Sequence, residues 1–250
     1  MLPPNKTIDV PLAGHQSDVT LCYPGVADAA YDLTIAAPSD VLLIERISNG
    51  DIGVLSLEKP SCGGLQDALV CAAGSPSPVR ATKRNVPPGD YRVVLGSQQA
   101  QATQVTAFVR PTVPPTLIPF ADACADAVTI PATGGFFEGN TGNASGDFSA
   151  GCDLGGVPGG GAPDQLLQLT LAAKKRVVLD MTGSGYTTIL DVRKGPGCPG
   201  VEVPLACAVG YYQGRSYLDL ALDPGTYYVQ IDGFNLSAGP WFLDVRVVDP

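Results

Sequence analysis

Apolar and polar residues alternate along many short stretches of this chain. The clearest are residues 227–231 and 91–95, and each follows a Pro-Gly pair, Pro224-Gly225 in one case and Pro88-Gly89 in the other. A period of two is typical of a half-buried β-strand. Pro fixes φ and Gly accepts a positive φ, so the pair favours a tight turn. We therefore predict that each stretch is a strand entered through a turn, with alternate residues facing a core.

The two stretches belong to an internal repeat. One offset of 136 positions relates several unrelated pairs of residues: Asp28 and Asp164, Cys62 and Cys198, Cys71 and Cys207, and Pro88 and Pro224. Agreement among unrelated features indicates a duplication. We predict one copy at residues 1–110 and a second at 120–250. Between them, the four prolines at 111–119 predict an extended, semi-rigid linker.

Composition extends the strand pattern to the whole chain. Its 250 residues include 30 Gly and 23 Pro, and its acidic residues are 20 Asp against 4 Glu. Gly, Pro and Asp favour turns whereas Glu favours helices, so short strands joined by tight loops are expected. With the repeat, this predicts an all-β protein of two sandwich domains. The strand at 81–86 is poorly apolar, and we expect a less ideal sheet edge there than at its counterpart, 217–222.

Charge and cysteine content narrow the choice of partners and compartment. The formal net charge is −9, and the one run of three basic residues is Lys174-Lys175-Arg176. Duplex nucleic acid needs clustered Lys and Arg, so we expect no nucleic-acid partner. No stretch approaches the ~20 apolar residues of a membrane helix, so no membrane insertion is expected. Seven cysteines at patterned spacings favour an oxidising compartment, hence an exported protein.

The order of segments in the second copy resembles a known family. It begins with Asp-Ala-Cys-Ala-Asp-Ala at 122–127, which is followed by a Gly-rich stretch and by apolar segments at 169–171 and 177–180. It ends with Pro-Gly-Thr-Tyr-Tyr-Val at 224–229 and Asp232-Gly233. This resembles the bacterial pre-peptidase C-terminal domain family in a cysteine-bearing version, and most of the first copy shares the resemblance. The family implies a jelly-roll-like β-sandwich without catalytic activity, appended to exported enzymes and bacterial surface proteins. The sequence departs from the family at 186–188, where Tyr-Thr-Thr replaces a frequent Asp.

Calcium is the cofactor that this resemblance implies, because some relatives bind it. The resemblance points to Asp122, Asp126 and Asp164, with Asp28 as the counterpart of Asp164 in the first copy. Calcium prefers oxygen ligands, which these carboxylates supply. The alternative is that they form local hydrogen bonds in turns, where Asp is common.

The cysteines recur as one closely spaced pair in each copy. Cys62 and Cys71 are nine positions apart, and so are Cys198 and Cys207. Structural zinc sites usually bring cysteines two to four residues apart, which leaves zinc as the weaker alternative. We predict a disulfide within each pair. Each such loop closure stabilises by roughly 2–3 kcal/mol on the chain-entropy model.

The other three cysteines divide unevenly between the copies. Cys124 and Cys152 remain in the second copy and are predicted to be joined. Residues 8–11 match residues 128–131, so the place of Cys124 in the first copy falls ahead of Met1. Cys22, which occupies the place of Cys152, is therefore expected to be a free thiol. We expect the first copy to be N-terminally incomplete and the chain to be part of a longer exported protein.

Motifs for catalysis are missing from the sequence. The single histidine, His15, lies in a polar stretch, and a surface position is expected for it. No Gly-x-Ser-x-Gly, His-Glu-x-x-His or Gly-x4-Gly-Lys-Ser/Thr motif occurs. We therefore predict that the chain is not an enzyme.

Aromatic residues supply a candidate binding surface. Five are expected in loops or at outward strand positions: Tyr211, Tyr212, Tyr228, Phe234 and Phe242. Rings can stack on flat sugar faces, but they also serve cross-strand pairing in sheets. We predict a non-catalytic accessory or surface binding module that contacts a protein or a polysaccharide beside neighbouring domains of a longer polypeptide. The alternative is a structural spacer in a stalk or filament, and an enzyme is the third possibility.

Overall fold

The computed structural model describes residues 1–19, 22–48, 50–61, 64–153, 161–210 and 216–250. The chain divides into two compact units, Met1–Val113 and Pro114–Pro250, which we call the first and second domain. Each domain is built of two β-sheets with a core between them. The predicted architecture of two tandem, jelly-roll-like antiparallel β-sandwiches is confirmed.

Helical structure in the described ranges is confined to single 3-10 turns. They are Gly64–Gln66, Cys124–Asp126, Thr141–Asn143 and Phe234–Leu236. In the part of the chain that the structure describes, no helix is long and apolar enough to cross a membrane.

The described residues of the first domain form eight strands. They are β1 (Thr7–Val10), β2 (Ala27–Ile35), β3 (Ser39–Arg46), β4 (Gly53–Glu58), β5 (Ala68–Gly74), β6 (Val79–Val86), β7 (Gly89–Ser97) and β8 (Thr103–Pro111). One sheet has the order β1-β8-β3-β6 and the other β2-β7-β4-β5, with every pair antiparallel. The poorly apolar strand β6 lies at a sheet edge, as the sequence predicts.

In the second domain, the part of the chain that the structure describes forms ten strands. They are β9 (Thr116–Leu117), β10 (Val128–Ile130), β11 (Gly134–Asn140), β12 (Gln165–Leu171), β13 (Lys175–Asp180), β14 (Thr188–Lys194), β15 (Val201–Val209), β16 (Tyr217–Leu222), β17 (Gly225–Gly233) and β18 (Pro240–Val248). The sheets have the orders β10-β12-β17-β14-β15 and β16-β13-β18-β11-β9. Two short strands pair in parallel, β9 with β11 and β10 with β12, and the other pairs are antiparallel. Strand β9 lies within the expected linker 111–119 but pairs with β11, so it is part of this domain.

Alternation along the strands selects the two cores. On β17, Tyr227, Val229 and Ile231 are buried between the sheets, as are the corresponding residues of β7 in the first domain. The tyrosine of each copy also closes the preceding turn, because the Tyr227 hydroxyl donates to the carbonyl oxygen of Asp223 at 2.7 Å and Tyr91 does the same to Pro87 at 2.9 Å. The repeat is therefore visible in individual hydrogen bonds.

The match of residues 8–11 with residues 128–131 is wrong as a structural equivalence. Strand β1 pairs antiparallel with the last strand of its domain, β8, and β11 pairs in the same way with β18. Strand β10, which contains residues 128–130, instead pairs in parallel with β12. Strand β1 therefore corresponds to β11. The match failed because three or four alternating residues fit several strands equally well.

The predicted disulfide pairs are also wrong. The bonds join Cys22 to Cys71, Cys124 to Cys198 and Cys152 to Cys207, with Cα–Cα distances of 6.0, 5.6 and 5.7 Å. Cys22 is thus not a free thiol, and Cys124 is not bonded to Cys152. Cys62 lies outside the described residues.

The physical reason for the different pairing is the strand that separates the closely spaced cysteines. Cys198 precedes β15, and Cys207 lies near its far end. A strand rises about 3.3 Å per residue, whereas a disulfide needs Cα atoms within about 7 Å. Cys71 and Cys207 instead bond to the loops that precede β2 and β12, so the nine-residue spacing repeats because each copy repeats the same strand.

Candidate functional site

The loop that precedes β2 in the first domain and the loop that precedes β12 in the second domain are anchored in the same way. In the second domain, Oδ2 of Asp164 accepts the backbone N–H groups of Asp147 and Phe148 at 3.1 and 2.9 Å. In the first domain, Oδ2 of Asp28 accepts the N–H groups of residues 18 and 19 at 2.9 and 3.1 Å. Two residues that the family resemblance assigned to calcium thus also anchor loops.

The other two calcium candidates differ from each other. Asp122 accepts the N–H and the hydroxyl of Ser145 at 2.6 and 2.8 Å, and its charge lies close enough to Asp164 to disfavour ionisation there. Asp126 is exposed on its 3-10 turn. Within the described ranges, Asp122, Asp126 and Asp164 do not converge into a three-ligand group. Calcium at these residues and at Asp28 stays a prediction.

One group of three acidic or thiol side chains at metal-ligand spacing occurs among the described residues. It consists of Asp191, Glu202 and Cys207. Cys207 is bonded to Cys152, so its sulfur is not available as a thiolate. Glu202 accepts the N–H of Gly151 at 3.0 Å. This group therefore fastens the loop before β12 to the sheet.

A row of buried polar side chains lies beneath that loop, on the outer face of β12, β17 and β14. Because alternate residues of a strand face opposite sides, the core positions Val229 and Ile231 leave Gln230 and Asp232 on the outer face. Gln230 donates to the carbonyl oxygen of Phe148 at 3.1 Å, which places the loop over them. We call the following four residues the polar layer: Asp164, Asp191, Gln230 and Asp232.

Burial shifts the carboxyl groups of the polar layer towards the neutral form. It raises the pKa of Asp164 to about 7, although the N–H groups of Phe148 and Asp147 oppose the shift. Burial raises the pKa of Asp232 to about 8, and the nearby charge of Asp164 adds to the effect. The pKa of Asp191 rises to about 6 through burial, which the neighbouring Arg193 opposes. These groups change charge near neutral pH.

A separate cleft of about 480 Å³ lies elsewhere in the second domain, beside β9, β11 and β18. Its apolar wall includes Leu117 and Phe120, which are 66% and 48% exposed. Phe242 completes this wall, and its ring stacks on Phe136 with centroids 5.9 Å apart. The pairing of Leu117 with Glu138 holds the apolar wall against β11.

Polar side chains line the same cleft. They are those of Glu138, Asn140, Asn143 and Gln165. Asn140 is held by its own turn, because its Oδ1 accepts the N–H of Gly142 at 2.8 Å. The cleft is therefore lined by aromatic rings and by amide and carboxyl groups. Sequence reasoning missed these polar residues, although Asn-Thr-Gly-Asn at 140–143 is a turn signal directly after a strand.

The aromatic residues proposed as a binding surface do not lie together. Phe242 lines the cleft, on β18. Tyr228 lies on the outer face of β17, in the other sheet, as expected, but it is buried at 6% exposure and so is not part of an exposed surface. Phe234 is half-buried on a 3-10 turn. Tyr211 and Tyr212 lie outside the described residues.

The single histidine is exposed, as expected. Nδ1 of His15 lies 2.8 Å from the carbonyl oxygen of Asp28, in the anchored loop of the first domain. This contact makes His15 part of the loop structure.

Comparison with known proteins gave no family assignment. No family model matches the chain, and no curated protein matches it. Among solved structures, the chain is similar to the pre-peptidase C-terminal domain of a collagenase from Bacillus anthracis, with 10% identity and a TM-score of 0.33 over 54% of this chain and 99% of that one. It is also similar to the N-terminal CBM22-1-CBM22-2 tandem domain of a Paenibacillus barcinonensis protein, with 11% identity and a TM-score of 0.24 over 88% and 82% of the two chains.

Proposed function

We propose that this chain is a non-catalytic, exported binding module whose second domain binds a neutral polysaccharide in the cleft. The observation that carries the proposal is that two phenylalanine rings and two amide side chains line the same cleft. The rings are those of Phe120 and Phe242, and the amides are those of Asn140 and Asn143. Flat apolar sugar faces pack on rings, while amides donate to and accept from hydroxyl groups.

Charge favours a neutral polymer over an anionic one. Among the described residues that line the cleft, Glu138 is the one ionisable side chain. The whole chain has a formal net charge of −9, which repels polyanions at long range. An uncharged glycan is repelled neither by Glu138 nor by the net charge of the chain.

The residues that line the cleft favour binding of a polysaccharide without its cleavage. Glycoside hydrolysis usually needs two carboxyl groups on either side of the scissile bond. The described lining of the cleft supplies Glu138 alone. We therefore propose an accessory role, in which the module holds a polymer for neighbouring domains of a longer polypeptide.

Export is supported by the three disulfides of the described residues. Such bonds persist in oxidising compartments and are rare in the cytosol. A protein that is secreted or held at the bacterial surface would also be in contact with extracellular polysaccharides.

The test is retention of the full chain on insoluble cellulose, chitin and xylan and in gels that contain soluble neutral glucans. We expect retention on at least one polymer and a loss of at least tenfold in affinity for Phe120→Ala and Phe242→Ala. Leu205→Ala is the matched control, because Leu205 is 94% exposed on β15, in the other sheet. The proposal fails if no polymer retains the protein, if the ring variants bind like wild type, or if only protein matrices are bound.

A further inference from the structure

Gln165 is a polar residue on the core face of β12. Leu167 and Leu169, which alternate with it along the strand, belong to the core of the second domain. Gln165 is 1% exposed, and its side chain lines the cleft at the end of the strand. Buried amide groups in proteins are normally hydrogen-bonded at both the oxygen and the nitrogen. Both halves of this amide therefore require a partner.

Trp241 is the partner of the amide oxygen. Its indole N–H donates to Oε1 of Gln165 at 2.7 Å. Because an indole nitrogen can only donate, the amide atom that faces it must be the oxygen, and the N–H₂ group must face elsewhere. Among the described residues, Nε2 has no hydrogen-bond partner, but it is not one of the fully enclosed polar atoms that lack one. The two N–H donors of Nε2 therefore open onto the cleft.

The first domain closes the same end of its sandwich without this pair. Its counterpart of Gln165 is Ala29, because Ala29 pairs with β7 as Gln165 pairs with β17. The registers of β8 on β3 and of β18 on β13 set Thr103 in the place of Trp241. The hydroxyl of Thr103 donates to the carbonyl oxygen of Arg46 at 2.7 Å. The sandwich fold itself therefore requires neither the amide nor the indole, and both are features of the second domain and its cleft.

Apolar side chains and one carboxylate line the cleft together with this donor. Ile118, Phe120 and Phe242 supply apolar surface. Glu138 is half-buried, and its carboxylate, when ionised, can only accept hydrogen bonds. Ile118 lies next to Glu138, because its N–H donates to the backbone carbonyl oxygen of Glu138 at 2.8 Å. The cleft thus combines a fixed donor, an acceptor and an apolar surface.

An acetamido group matches these three features at once. Its carbonyl oxygen accepts from an N–H₂ group, its N–H donates to a carboxylate, and its methyl group packs on apolar side chains. A hydroxyl group in the same position can form the polar contacts but brings no methyl group to the apolar surface. One added methyl or methylene group in an apolar pocket changes affinity by about tenfold or more. The lining therefore favours an N-acetylated sugar over a sugar with hydroxyl groups alone.

We infer that the cleft selects polysaccharides of N-acetylated amino sugars, with Nε2 of Gln165 donating to the acetamido carbonyl oxygen and Glu138 accepting from the acetamido N–H. The inference rests on the proposed binding of a neutral polysaccharide and names its class, which is chitin and other uncharged polymers of N-acetylhexosamine. Trp241 holds the Gln165 amide in the donating orientation. Chitin carries no charge, so the net charge of −9 does not repel it.

Chitohexaose and cellohexaose are a matched pair of ligands for the test. Both are β-1,4-linked chains, and they differ at C2, where the first carries acetamido groups and the second hydroxyl groups. Calorimetric titration of the full chain should give an affinity for chitohexaose at least about tenfold higher than for cellohexaose, and chitin should retain the protein more strongly than cellulose. This comparison needs no variant, so it stays decisive whatever a substitution does to folding.

Gln165→Glu tests the donor. The change keeps an oxygen for the indole of Trp241 and replaces the N–H₂ group by an acceptor. We expect it to lower the affinity for chitohexaose at least about tenfold and to bring the ratio of the two affinities close to one, whereas a loss of folding would lower both affinities alike. Gln168→Glu is the matched control and should leave the ratio unchanged. Gln168 lies on the outer face of the same strand, where its side chain donates to the Tyr228 hydroxyl at 3.4 Å.

The outcomes distinguish this inference from the proposed function. If wild type binds cellohexaose as tightly as chitohexaose, or if cellulose or xylan retains it better than chitin, the inference is wrong while polysaccharide binding stands. An unchanged affinity ratio in Gln165→Glu also overturns it. If no polymer retains the protein and neither oligosaccharide binds, the proposed function and the inference fail together.

Discussion

Trp241 donates its indole N–H to Oε1 of Gln165 at 2.7 Å, and both side chains are buried. The bond joins β18 of one sheet to β12 of the other, at the end of the sandwich where the cleft lies. Gly139 makes this arrangement possible, because a Cβ atom there would lie 2.5 Å from the indole ring. One polar contact thus fixes both the packing of the sheets and the floor of the cleft.

Trp241→Phe is expected to destabilise the second domain by about 2–4 kcal/mol. The change leaves the Gln165 oxygen without its donor, which costs about 1–3 kcal/mol, and it adds a cavity. The measurement is urea unfolding followed by circular dichroism. Gln165→Leu and the double variant complete a cycle, and the two changes should couple by about 1 kcal/mol or more. Strict additivity would show that the bond contributes nothing.

The two turn tyrosines provide a matched pair of variants. Tyr91→Phe and Tyr227→Phe each remove a hydroxyl that donates to the carbonyl oxygen four residues earlier. Each variant should lose about 0.5–1.5 kcal/mol of stability, in its own domain only. Calorimetry of the full chain, with Trp241 fluorescence for the second domain, checks this expectation. A Tyr91→Phe variant that lowers the Trp241 transition would contradict it.

Glu45 gives the first domain a pH dependence. It is fully buried on β3, and burial raises its pKa to about 9, while a hydrogen bond from Thr103 opposes the shift. In the unfolded chain its pKa returns to about 4.5. Between these values the folded state keeps a proton that the unfolded state has lost, so the free energy of unfolding falls as the pH rises.

Glu45→Gln should therefore reduce the loss of stability of the first domain between pH 5 and pH 9, because the amide carries no charge to bury. Calorimetry at several pH values measures the slope. Glu138→Gln, a half-buried residue in the second domain, is the control and should leave the first-domain slope unchanged. An unaltered slope in Glu45→Gln would show that this carboxyl is not the group that titrates.

Peptide mapping without reduction should find Cys22 with Cys71, Cys124 with Cys198 and Cys152 with Cys207. Replacement of both Cys152 and Cys207 by Ala should lower the stability of the second domain by about 2–5 kcal/mol. The disulfide joins residues 55 positions apart, and without it the segment between them and the loop over the polar layer are no longer constrained. Removal of Cys22–Cys71 should act on the first domain alone. Recovery of a Cys198–Cys207 peptide would contradict the arrangement.

The sequence by itself determined the strands, the repeat and the class of fold. Alternation at 227–231 and at 91–95 placed the right residues in two cores, because a strand has only two faces and one of them must be buried. Turn chemistry at the Pro-Gly pairs set where these strands begin. The 136-residue offset even pairs Gly96 with Asp232, so the chemical difference between the copies is readable in the sequence.

Only the tertiary structure decided which distant residues meet. Cys124 and Cys198 are 74 positions apart, and Gln165 and Trp241 are 76 apart. Such contacts depend on the order of strands in each sheet and on which loop covers which face, and neither is encoded in local spacing. For the same reason the cleft and the polar layer could not be predicted: Asp232 reads as an ordinary turn or surface residue until a loop anchored by Asp164 buries it.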